Sequence, residues 1–533
     1  MNIIIKKNLI FVLFLIPTAC FGKENSNAEI EIYSSSSGIG VKLSASLPCD
    51  GKLELLKPIF HSTNSELLVS LNLGSFEKKN EIHIEGNSII LPCLNANYVS
   101  YTYDSGGVAN FNPHAKFDIS HYIAAPVKAK NLKYDIKISN FDKDLHYYSS
   151  LKSVSPTLQN IDLQSLNNSY SLVTKSNLDV AEINGVQVIY DRFSRNELEK
   201  ILQLYTKLLN RFGGADLLKN MFILESNDGF TYLNGVNLDD TIVAEYQAGV
   251  SNQELINIIS HEFTHFWIPT QMGLAGEKYP RLNWFIEGFT EYYSVSIQKE
   301  MDFISESIFL DTVNEYLDKN QNSIFSKLSL DEYENIFNNT PAFVTPRTEL
   351  DKMPYWRGFL IAFILDKNLE ASTSRNHKIY KLVSRLINSP GHLDSDKIFS
   401  SFSESVRETF KKLYLKHIVV GRPVTVNDIS NCVEYRRDIK HKFNLGYNVI
   451  RSQEDMRIEE IDINSEIYKF GIRNGDSIVG SSFSVGDHTE KANLAVISKQ
   501  SGMLINIEYM PSQEVELYTL TSLKSSCQNE VAR

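Results

Sequence analysis

Two histidines separated by four positions, with a glutamate beside the first, stand in the segment IISHEFTHFWIP at residues 258–269. Residues i and i+4 of a helix project from the same face, so the imidazoles of His261 and His265 can bind one ion. Glu262 lies one residue further round the helix, where it can reach a metal-bound water without being a ligand. The pattern predicts a zinc site with a general base. The alternative is two core histidines that share a helix face by coincidence.

The sequence around these histidines predicts the helix that must hold them. Ser251 is a typical N-cap, and Glu254 three residues later completes a capping box. Val250 and Leu255 have the spacing of a hydrophobic staple, and Pro269 stops the helix. The histidine pair is therefore expected on a helix whose two ends are both marked in the sequence.

A third ligand is expected on a second helix, in the segment NWFIEGFTEYY at residues 283–293. Catalytic zinc typically has three protein ligands and keeps a fourth position for water. Glu287, 22 residues after His265, is the natural third ligand, because its apolar neighbours argue against a solvated glutamate. Glu291, one helical turn further on, is predicted to orient a histidine ligand. The alternative for Glu291 is an ordinary exposed side chain.

The chain as a whole has room for several domains. It has 533 residues, of which 42% are apolar, so about two to four globular domains are expected. The formal net charge of −11 argues against nucleic acid and anionic membranes as general partners. No stretch after the N-terminus is long and apolar enough to span a bilayer.

The first 22 residues are typical of a secretory signal peptide. Two lysines precede an apolar run at 9–17 that is too short for a typical membrane span, and small residues follow in TACFG. Cleavage after Gly22 predicts a periplasmic or secreted protein. Lipoprotein anchoring at Cys20 is an alternative, although Pro17 stands where a lipobox needs an aliphatic residue.

Four cysteines remain after the predicted signal, and they form two well-separated pairs. Cys49 and Cys93 lie in the strand-rich N-terminal region, and Cys432 and Cys527 bracket the C-terminal segment. An even count in an exported chain favours disulfides, and local pairing, Cys49–Cys93 and Cys432–Cys527, is the most economical of the three connectivities. The alternative is four free buried thiols.

The patterning along the chain changes twice, which predicts a multidomain protein. Residues 23–165 alternate polar and apolar side chains between Gly, Asn and Ser turns, as in an antiparallel β domain. Residues 170–430 begin with a helix at 194–214 and the strands NMFILES and TIVAEY, and continue mainly as helices, which indicates an α+β domain. Residues 432–527 return to short strands and turns.

HEFTHFW followed by WFIEGFTEYY resembles the gluzincin metallopeptidases, in particular the glycyl aminopeptidase-like family and, more distantly, aminopeptidase N. Trp267, two places after the second histidine, and the Glu-Gly-Phe at 287–289 are shared features. The resemblance implies a thermolysin-like catalytic domain that holds one zinc per chain on His261, His265 and Glu287.

The resemblance also implies a tyrosine that stabilises the transition state. In these families it stands in a Tyr-x-Lys-Gly context, and this chain offers Tyr355, then Arg357 in place of the lysine, then Gly358. In the implied mechanism zinc activates water and polarises the scissile carbonyl, and Glu262 carries the water's proton to the leaving amine. Tyr355 donates a hydrogen bond to the oxyanion. The strand TIVAEY would pair with an extended peptide or protein substrate by β-addition.

One element of the family pattern is missing. Aminopeptidases of these groups have a Gly- and Glu-containing motif about thirty residues before the metal helix, and its glutamate holds the free α-amine of the substrate. Here the region reads ESNDGFTYLNGVNLDD, in which Glu225 and Asp228 are the available acids and neither has the expected context. Aminopeptidase specificity is therefore unsupported. The spacing from His265 to Glu287 is also looser than in aminopeptidase N.

The C-terminal segments FNLGYNVI and RIEEIDINSEIYKFGIRNGDSIVG resemble a PDZ domain. Leu445, Gly446 and Tyr447 match the loop whose backbone N–H groups bind a C-terminal carboxylate, which implies a protein C-terminus as partner. A disulfide between Cys432 and Cys527 would join the two ends of this PDZ-like β domain. The alternative is a PDZ-shaped spacer that binds no ligand.

Three hypotheses follow from the sequence. The leading one is an exported zinc metallopeptidase. The second is a catalytically inactive scaffold that binds proteins through its PDZ-like domain, and the intact set of candidate residues argues against it. The third is another zinc-dependent hydrolysis at the same site, because fold and ligands do not determine the substrate.

Overall fold

The computed structural model describes residues 28–35, 38–44, 52–55, 68–72, 83–85, 88–90, 98–103, 117–118, 124–126, 133–139, 146–151, 157–162, 165, 168–174, 176–226, 232–272, 280–339, 347–372, 379–389, 394–402, 404–429, 433–449, 451–452, 456–484 and 487–524. The predicted signal peptide, the predicted disulfides and the alternative lipid anchor lie outside these residues. No described helix is long and apolar enough to cross a membrane.

The chain divides into two compact units. The first consists of Met1–Phe193 and Leu218–Val250, and the second of Ser194–Leu217 and Ser251–Arg533. The strands predicted at the start of the α+β region belong to the first unit, whereas its helices belong to the second. The domain boundaries predicted at 165–170 and 430–432 stay a prediction.

The first unit is built from β-strands. Its described strands are β1 (Ala28–Ser35), β2 (Gly38–Ser44), β3 (Lys52–Leu55), β4 (Leu68–Asn72), β5 (His83–Glu85), β6 (Ser88–Ile90), β7 (Tyr98–Tyr103), β8 (Phe117–Asp118), β9 (Ala124–Pro126), β10 (Lys133–Ser139), β11 (His146–Ser149), β12 (Thr157–Asp162), β13 (Ser171–Thr174), β14 (Asp179–Ile183), β15 (Val186–Tyr190), β16 (Asn220–Glu225), β17 (Leu233–Leu238) and β18 (Thr241–Tyr246).

The predicted N-terminal β region is confirmed, with one correction to the direction in which its strands pair. Strands β1 to β12 form a complete six-stranded sheet, a complete four-stranded sheet and two strands of a three-stranded sheet. Strands β1 and β10 pair in parallel, with Ile30 opposite Ile136, so the region is not purely antiparallel. Side chains alternate with a period of two in parallel and in antiparallel strands, so the pattern does not distinguish them. The segment between β1 and β10 is long enough for either pairing.

The last five strands of the first unit form a mixed sheet in the order β14-β15-β16-β18-β17. Strands β15, β16 and β18 are parallel to one another, and β17 is antiparallel to β18. Both edges of β18 are therefore hydrogen-bonded, so the expected β-addition of a substrate to TIVAEY is wrong. The sequence predicts the strand but not its place in the sheet, because the order of strands leaves no mark on side-chain alternation.

The second unit is mainly helical. Its described helices are α1 (Arg195–Phe212), α2 (Asn252–His265), α3 (Asn283–Glu300), α4 (Glu306–Asn322), α5 (Leu330–Asn339), α6 (Arg347–Ser372), α7 (Tyr380–Ile387), α8 (Ser395–Ser400), α9 (Glu404–Leu413) and α10 (Glu466–Lys469). Short 3₁₀ segments lie at Thr270–Met272, Pro280–Leu282 and Val426–Asp428, and a π-helix at Tyr414–Val419. Five strands follow, β19 (Val433–Phe443), β20 (Ser477–Ser482), β21 (Ala492–Ile497), β22 (Leu504–Tyr509) and β23 (Ser512–Leu523).

The predicted N-cap of α2 is confirmed. The hydroxyl of Ser251 accepts a hydrogen bond from the backbone of Glu254, whose carboxylate accepts from the backbone N–H of Ser251 at 2.8 Å. These bonds satisfy backbone donors that a helix start leaves without partners. The helix ends at His265, four residues before Pro269, so both histidines lie in its last turns.

The C-terminal strands form two separate antiparallel arrangements. Strand β19 pairs with β23, and β20, β21 and β22 form a three-stranded sheet over a core that includes Ile458, Ile467 and Leu494. A PDZ ligand adds a strand to a sheet edge. After the predicted loop the chain turns instead, with the N–H of Ser452 donating to the carbonyl of Asn448 at 3.0 Å. The PDZ-like fold is not confirmed and stays a prediction.

Candidate metal centre

The three predicted ligands lie together in the second unit. Among the described residues, His261, His265 and Glu287 each offer one ligand atom, and these atoms all lie within 4.8 Å of one another. Glu287 Oε2 is 3.4 Å from the Nε2 of His261 and 3.6 Å from the Nε2 of His265. Helix α2 therefore supplies two candidate ligands and α3 the third, as the spacing predicts.

The second nitrogen of each imidazole has a hydrogen-bond acceptor. The Nδ1–H of His261 donates to Glu291 Oε2 at 2.7 Å, and the Nδ1–H of His265 donates to the carbonyl oxygen of Ile268 at 2.6 Å. These bonds assign a proton to Nδ1 in each ring, so Nε2, the nitrogen that faces Glu287, is the one that can bind a metal ion. Both rings are thus oriented as a metal ligand requires.

The arrangement fits a zinc ion. Bonds of about 2.0–2.2 Å in tetrahedral geometry place neighbouring ligand atoms about 3.3–3.6 Å apart. The two separations from Glu287 Oε2 match this value. The same oxygen is buried and accepts no hydrogen bond from the described residues, which is the state expected of a ligand atom. Two imidazoles and one carboxylate are also a donor set that zinc prefers.

The electrostatics of the cluster favour a cation. Burial would raise the pKa of Glu287, but His265 and His261 outweigh it and hold the pKa well below its usual value. Burial would lower the pKa of His261, yet the carboxylates of Glu287 and Glu291 raise it to about 10, and a metal ion would displace the proton that Nε2 then carries. The buried carboxylate of Glu262 and the half-buried carboxylates of Glu287 and Glu291 therefore face two imidazoles, and a divalent ion would balance their excess negative charge.

Glu262 has the properties of a general base. Its side chain is buried on α2 beside the first histidine. Burial raises the pKa of the Glu262 carboxyl above its ordinary value, although His265 and His261 limit the rise. A carboxylate that binds a proton more readily than in water is better suited to accept one from an attacking water.

Glu291 has a second partner that the sequence did not reveal. The hydroxyl of Tyr316 on α4 donates to Glu291 Oε1 at 2.6 Å, while Oε2 accepts from His261. The carboxylate is therefore fixed from both sides and fixes the imidazole in turn. The prediction that Glu291 orients a histidine agrees with this contact. Nothing in the sequence distinguishes Tyr316 from the other tyrosines.

Tyr355 lies beside the candidate ligands. Its ring stacks on that of His261 with 5.7 Å between centroids and 17° between planes. Burial, the charge of Glu287 and a hydrogen bond to that carboxylate raise the pKa of the Tyr355 hydroxyl far above its ordinary value. The group therefore remains protonated and available as a donor at neutral pH.

Arg357 does not point to the centre. Its guanidinium is buried and donates to the carbonyl oxygens of Leu328 and Ser326, each at 2.6 Å, and of Gly421 at 3.3 Å. Burial lowers the pKa of Arg357 to about 10. The arginine that replaces the family lysine thus ties α6 to neighbouring loops.

Helix α2 is fixed on two sides. The indole N–H of Trp267, just after the helix, donates to the carbonyl oxygen of Gly213 at the end of α1, at 2.7 Å. The side-chain amide of Gln298 on α3 donates to the hydroxyl of Ser260 at 2.7 Å, next to the first histidine. These bonds hold the histidine face of α2 toward α3.

The remaining predicted site residues lie elsewhere. Leu445 is buried, and the N–H of Gly446 donates to Asn444 Oδ1 at 2.7 Å; the binding of a carboxylate by these residues and Tyr447 stays a prediction. Glu225 ends β16 in the first unit, and Asp228 lies outside the described residues.

The segment that contains the candidate metal centre matches a known protein family. Residues 254–332, which include all three candidate ligands, match the family of the M61 glycyl aminopeptidases. The predicted resemblance to the glycyl aminopeptidase-like family is thereby confirmed for this segment. A search of curated proteins gave no significant match.

Similar folds occur among solved structures. An aminopeptidase N family protein from Idiomarina loihiensis aligns with a TM-score of 0.60 and 13% identity, over 92% of this chain and 98% of that one. Leukotriene A4 hydrolase from Saccharomyces cerevisiae aligns with a TM-score of 0.46 and 13% identity, over 75% of this chain and 68% of that one. Aminopeptidase A from Legionella pneumophila aligns with a TM-score of 0.39 and 11% identity, over 93% and 57%. At such identities the first likeness establishes the fold alone.

Proposed function

We propose that the protein is a zinc metallopeptidase that hydrolyses peptide bonds. The observation that carries this proposal is the convergence of His261 Nε2, His265 Nε2 and Glu287 Oε2 at the separations of tetrahedral ligands. The match of this segment to a peptidase family supports the choice of reaction. One zinc per chain would be held by these three residues, and when bound it supplies Lewis acidity toward a carbonyl oxygen and lowers the pKa of water.

Three residues of the chain have separate roles in the proposed reaction. Glu262 accepts the proton of the attacking water and transfers it to the leaving amine, so the same carboxylate acts first as base and then as acid. Tyr355 keeps its proton and donates a hydrogen bond to the oxygen on which negative charge develops. Glu291 accepts the Nδ1–H of His261 and prevents the ring from turning.

The described centre offers no carboxylate to hold a substrate α-amine. Glu287 faces the two histidines, Glu291 accepts from His261 and Tyr316, and Glu262 is the candidate base. The proposal therefore covers peptide-bond hydrolysis without aminopeptidase specificity.

Metal analysis combined with a peptide panel tests the proposal, with wild-type protein compared with Glu262→Gln. We expect about one zinc per chain in both proteins. Hydrolysis should fall by about 10²-fold or more in the variant, because only the base is lost. A protein that takes up no zinc, or a variant that hydrolyses peptides at the wild-type rate, would contradict the proposed mechanism. Peptides with blocked and free N-termini in the same panel separate endopeptidase from aminopeptidase action.

We also propose that the protein is exported to the periplasm or secreted, on the basis of the basic and apolar residues at 1–22. N-terminal sequencing of the mature protein should then begin at Lys23, whereas a lipid-modified N-terminus at Cys20 would indicate anchoring. Mass spectrometry of unreduced peptides tests the proposed disulfides Cys49–Cys93 and Cys432–Cys527 in the same sample. Binding of C-terminal peptides to the PDZ-like region remains part of this proposal.

A further inference from the structure

The ammonium group of Lys352 lies over the ring of Tyr355, the candidate oxyanion donor. Lys352 lies on α6, one turn before Tyr355, and its Nζ is 4.2 Å from the centroid of the Tyr355 ring. The same ring stacks on the imidazole of His261. Lys352 and a candidate metal ligand therefore contact the same aromatic ring.

The charge of Lys352 acts on two carboxylates of the centre, Glu262 and Glu291. Its charge lowers the pKa of Glu262 and that of Glu291, against the larger effect of their burial. The side chain itself is exposed, so a solute can reach it. A cation in this place acts on the substrate that enters, as well as on the protein.

No described residue forms an ion pair with Lys352, which distinguishes it from other lysines that lie over aromatic rings. Lys299 lies over Phe309 and pairs with Glu306 at 3.1 Å. Lys319 lies over Trp356 and pairs with Glu315. These two lysines have protein carboxylates as partners, whereas Lys352 has only the face of Tyr355 among the described residues.

The acids that could neutralise Lys352 from within the centre are already used. Glu287 faces the two histidines, Glu291 accepts from His261 and Tyr316, and Glu262 is the candidate base. A substrate with a carboxylate would bring the missing negative charge, whereas a substrate ammonium would meet a like charge. The distribution of charge thus favours an anionic group on the substrate.

We infer that Lys352 binds a carboxylate of the peptide substrate, and that the enzyme prefers peptides which carry one near the scissile bond. The inference rests on the proposed peptidase function and adds the substrate class to it. The carboxylate is either the C-terminus of a short peptide or the side chain of Asp or Glu. Both sources offer the same planar anion to the ammonium group.

Matched peptide pairs test the inference and separate the two sources. One pair differs only by a free or amidated C-terminus, and the other by Glu or Gln beside the scissile bond. We expect wild-type kcat/KM to be about fivefold higher for the carboxylate member of at least one pair, through a lower KM, as a partly exposed ion pair provides. In Lys352→Gln the ratio should fall to about one, Lys352→Arg should restore it, and Lys352→Glu should invert it. Lys412→Gln, an exposed lysine on α9, is the control for the change in net charge.

A binding measurement makes the result independent of catalysis. Zinc-loaded Glu262→Gln protein is titrated with the same pairs by calorimetry, alone and combined with Lys352→Gln. Tighter binding of the carboxylate member to Glu262→Gln, with this preference lost in the double variant, supports the inference. If the same preference is found but wild-type protein cleaves no peptide, only the proposed function is contradicted. Equal binding of both members, or binding of neither, overturns the inference. So does an equal loss of kcat on both members in Lys352→Gln, because Lys352 would then only support the position of Tyr355.

Discussion

Gly288 and Gly358 face each other where helices α3 and α6 cross. A Cβ at Gly288 would lie 2.3 Å from the Cα of Gly358, and a Cβ at Gly358 would lie 1.7 Å from the carbonyl oxygen of Trp284. The two backbones therefore touch without intervening side chains. The residue before Gly288 is the candidate ligand Glu287, and Tyr355 lies about one turn before Gly358. The close crossing thus brings a candidate ligand and a candidate oxyanion donor from different helices to one place.

Alanine at either crossing glycine should separate the two helices. We expect Gly358→Ala to lower the free energy of unfolding by about 3 kcal/mol or more, because the added methyl group meets backbone atoms that cannot turn aside. The variant protein that still folds should bind zinc more weakly and hydrolyse peptides more slowly. Thermal unfolding and metal analysis measure these effects together.

Gly480→Ala is the matched control, because a Cβ at Gly480 would meet no atom within 4 Å. It should leave the melting temperature within about 1–2 °C of the wild-type value, as for a surface substitution of less than about 0.5 kcal/mol. An equal effect of the two substitutions would show that the helix crossing is not the cause.

The contact chain from Tyr316 through Glu291 to His261 should set the affinity for metal. Glu291→Ala removes the acceptor for the Nδ1–H of His261, and we expect zinc binding to weaken by about 10- to 100-fold. Glu291→Gln keeps an oxygen that can accept this bond, so its loss should be smaller. Tyr316→Phe should also weaken binding, because Glu291 loses its second donor.

Competition with a chelator of known affinity measures these changes. Glu306→Gln is the control, since Glu306 is exposed, pairs with Lys299 and touches no described ligand. Unchanged zinc affinity in Glu291→Ala would show that the carboxylate does not position the ligand.

Tyr355→Phe should reduce kcat with little change in zinc content. The ring and its stacking on His261 are retained, whereas the hydrogen bond to the developing oxyanion is lost. Removal of one such donor lowers kcat by about 10²- to 10³-fold. Steady-state kinetics with a peptide substrate measure the effect, and Tyr468→Phe on α10 is the control for loss of a hydroxyl. A fall confined to KM would assign Tyr355 to substrate binding.

The sequence predicts the elements of the centre whose signals are local. The capping box of Ser251 and Glu254 marks the start of α2, and the four-residue spacing of its histidines places both rings on one face. Glu287 is recognisable because a glutamate among apolar neighbours needs a partner. These features depend on residues within a few turns of one another, so the pattern contains the information.

Features that depend on packing between distant segments could not be predicted in this way. Tyr316 contacts Glu291 because α4 packs beside α3, and no periodicity in either helix encodes that pairing. Arg357 stands where the sequence resemblance leads one to expect a lysine, but its guanidinium donates to the carbonyl oxygens of Leu328 and Ser326 and not to the candidate ligands. The parallel pairing of β1 with β10 and the interior place of β18 likewise depend on chain path.

Asp428 should make the stability of the second unit depend on acid pH. Its buried carboxylate accepts from the backbone and hydroxyl of Thr425, at 2.9 and 3.0 Å, and lies beside Lys416 and His417. Burial would raise the pKa of Asp428, but the bonds from His417, Lys416 and Thr425 outweigh it and lower the pKa. The pKa is thus lower in the folded than in the unfolded protein, so the stabilisation is complete above the unfolded value and disappears as pH falls through the folded value.

Asp428→Asn should therefore lower the free energy of unfolding at pH 7 by about 2–4 kcal/mol, as for one partner removed from a buried ionic cluster. The difference in melting temperature between wild type and variant should hold down to about pH 4, near the ordinary pKa of aspartate, and shrink at lower pH. Thermal unfolding at steps from pH 7 to pH 3 measures this difference, with the exposed Asp396→Asn as control. A difference that stays constant across the range would show that Asp428 contributes through packing, because a charge effect must shrink once the carboxyl of the unfolded protein binds a proton.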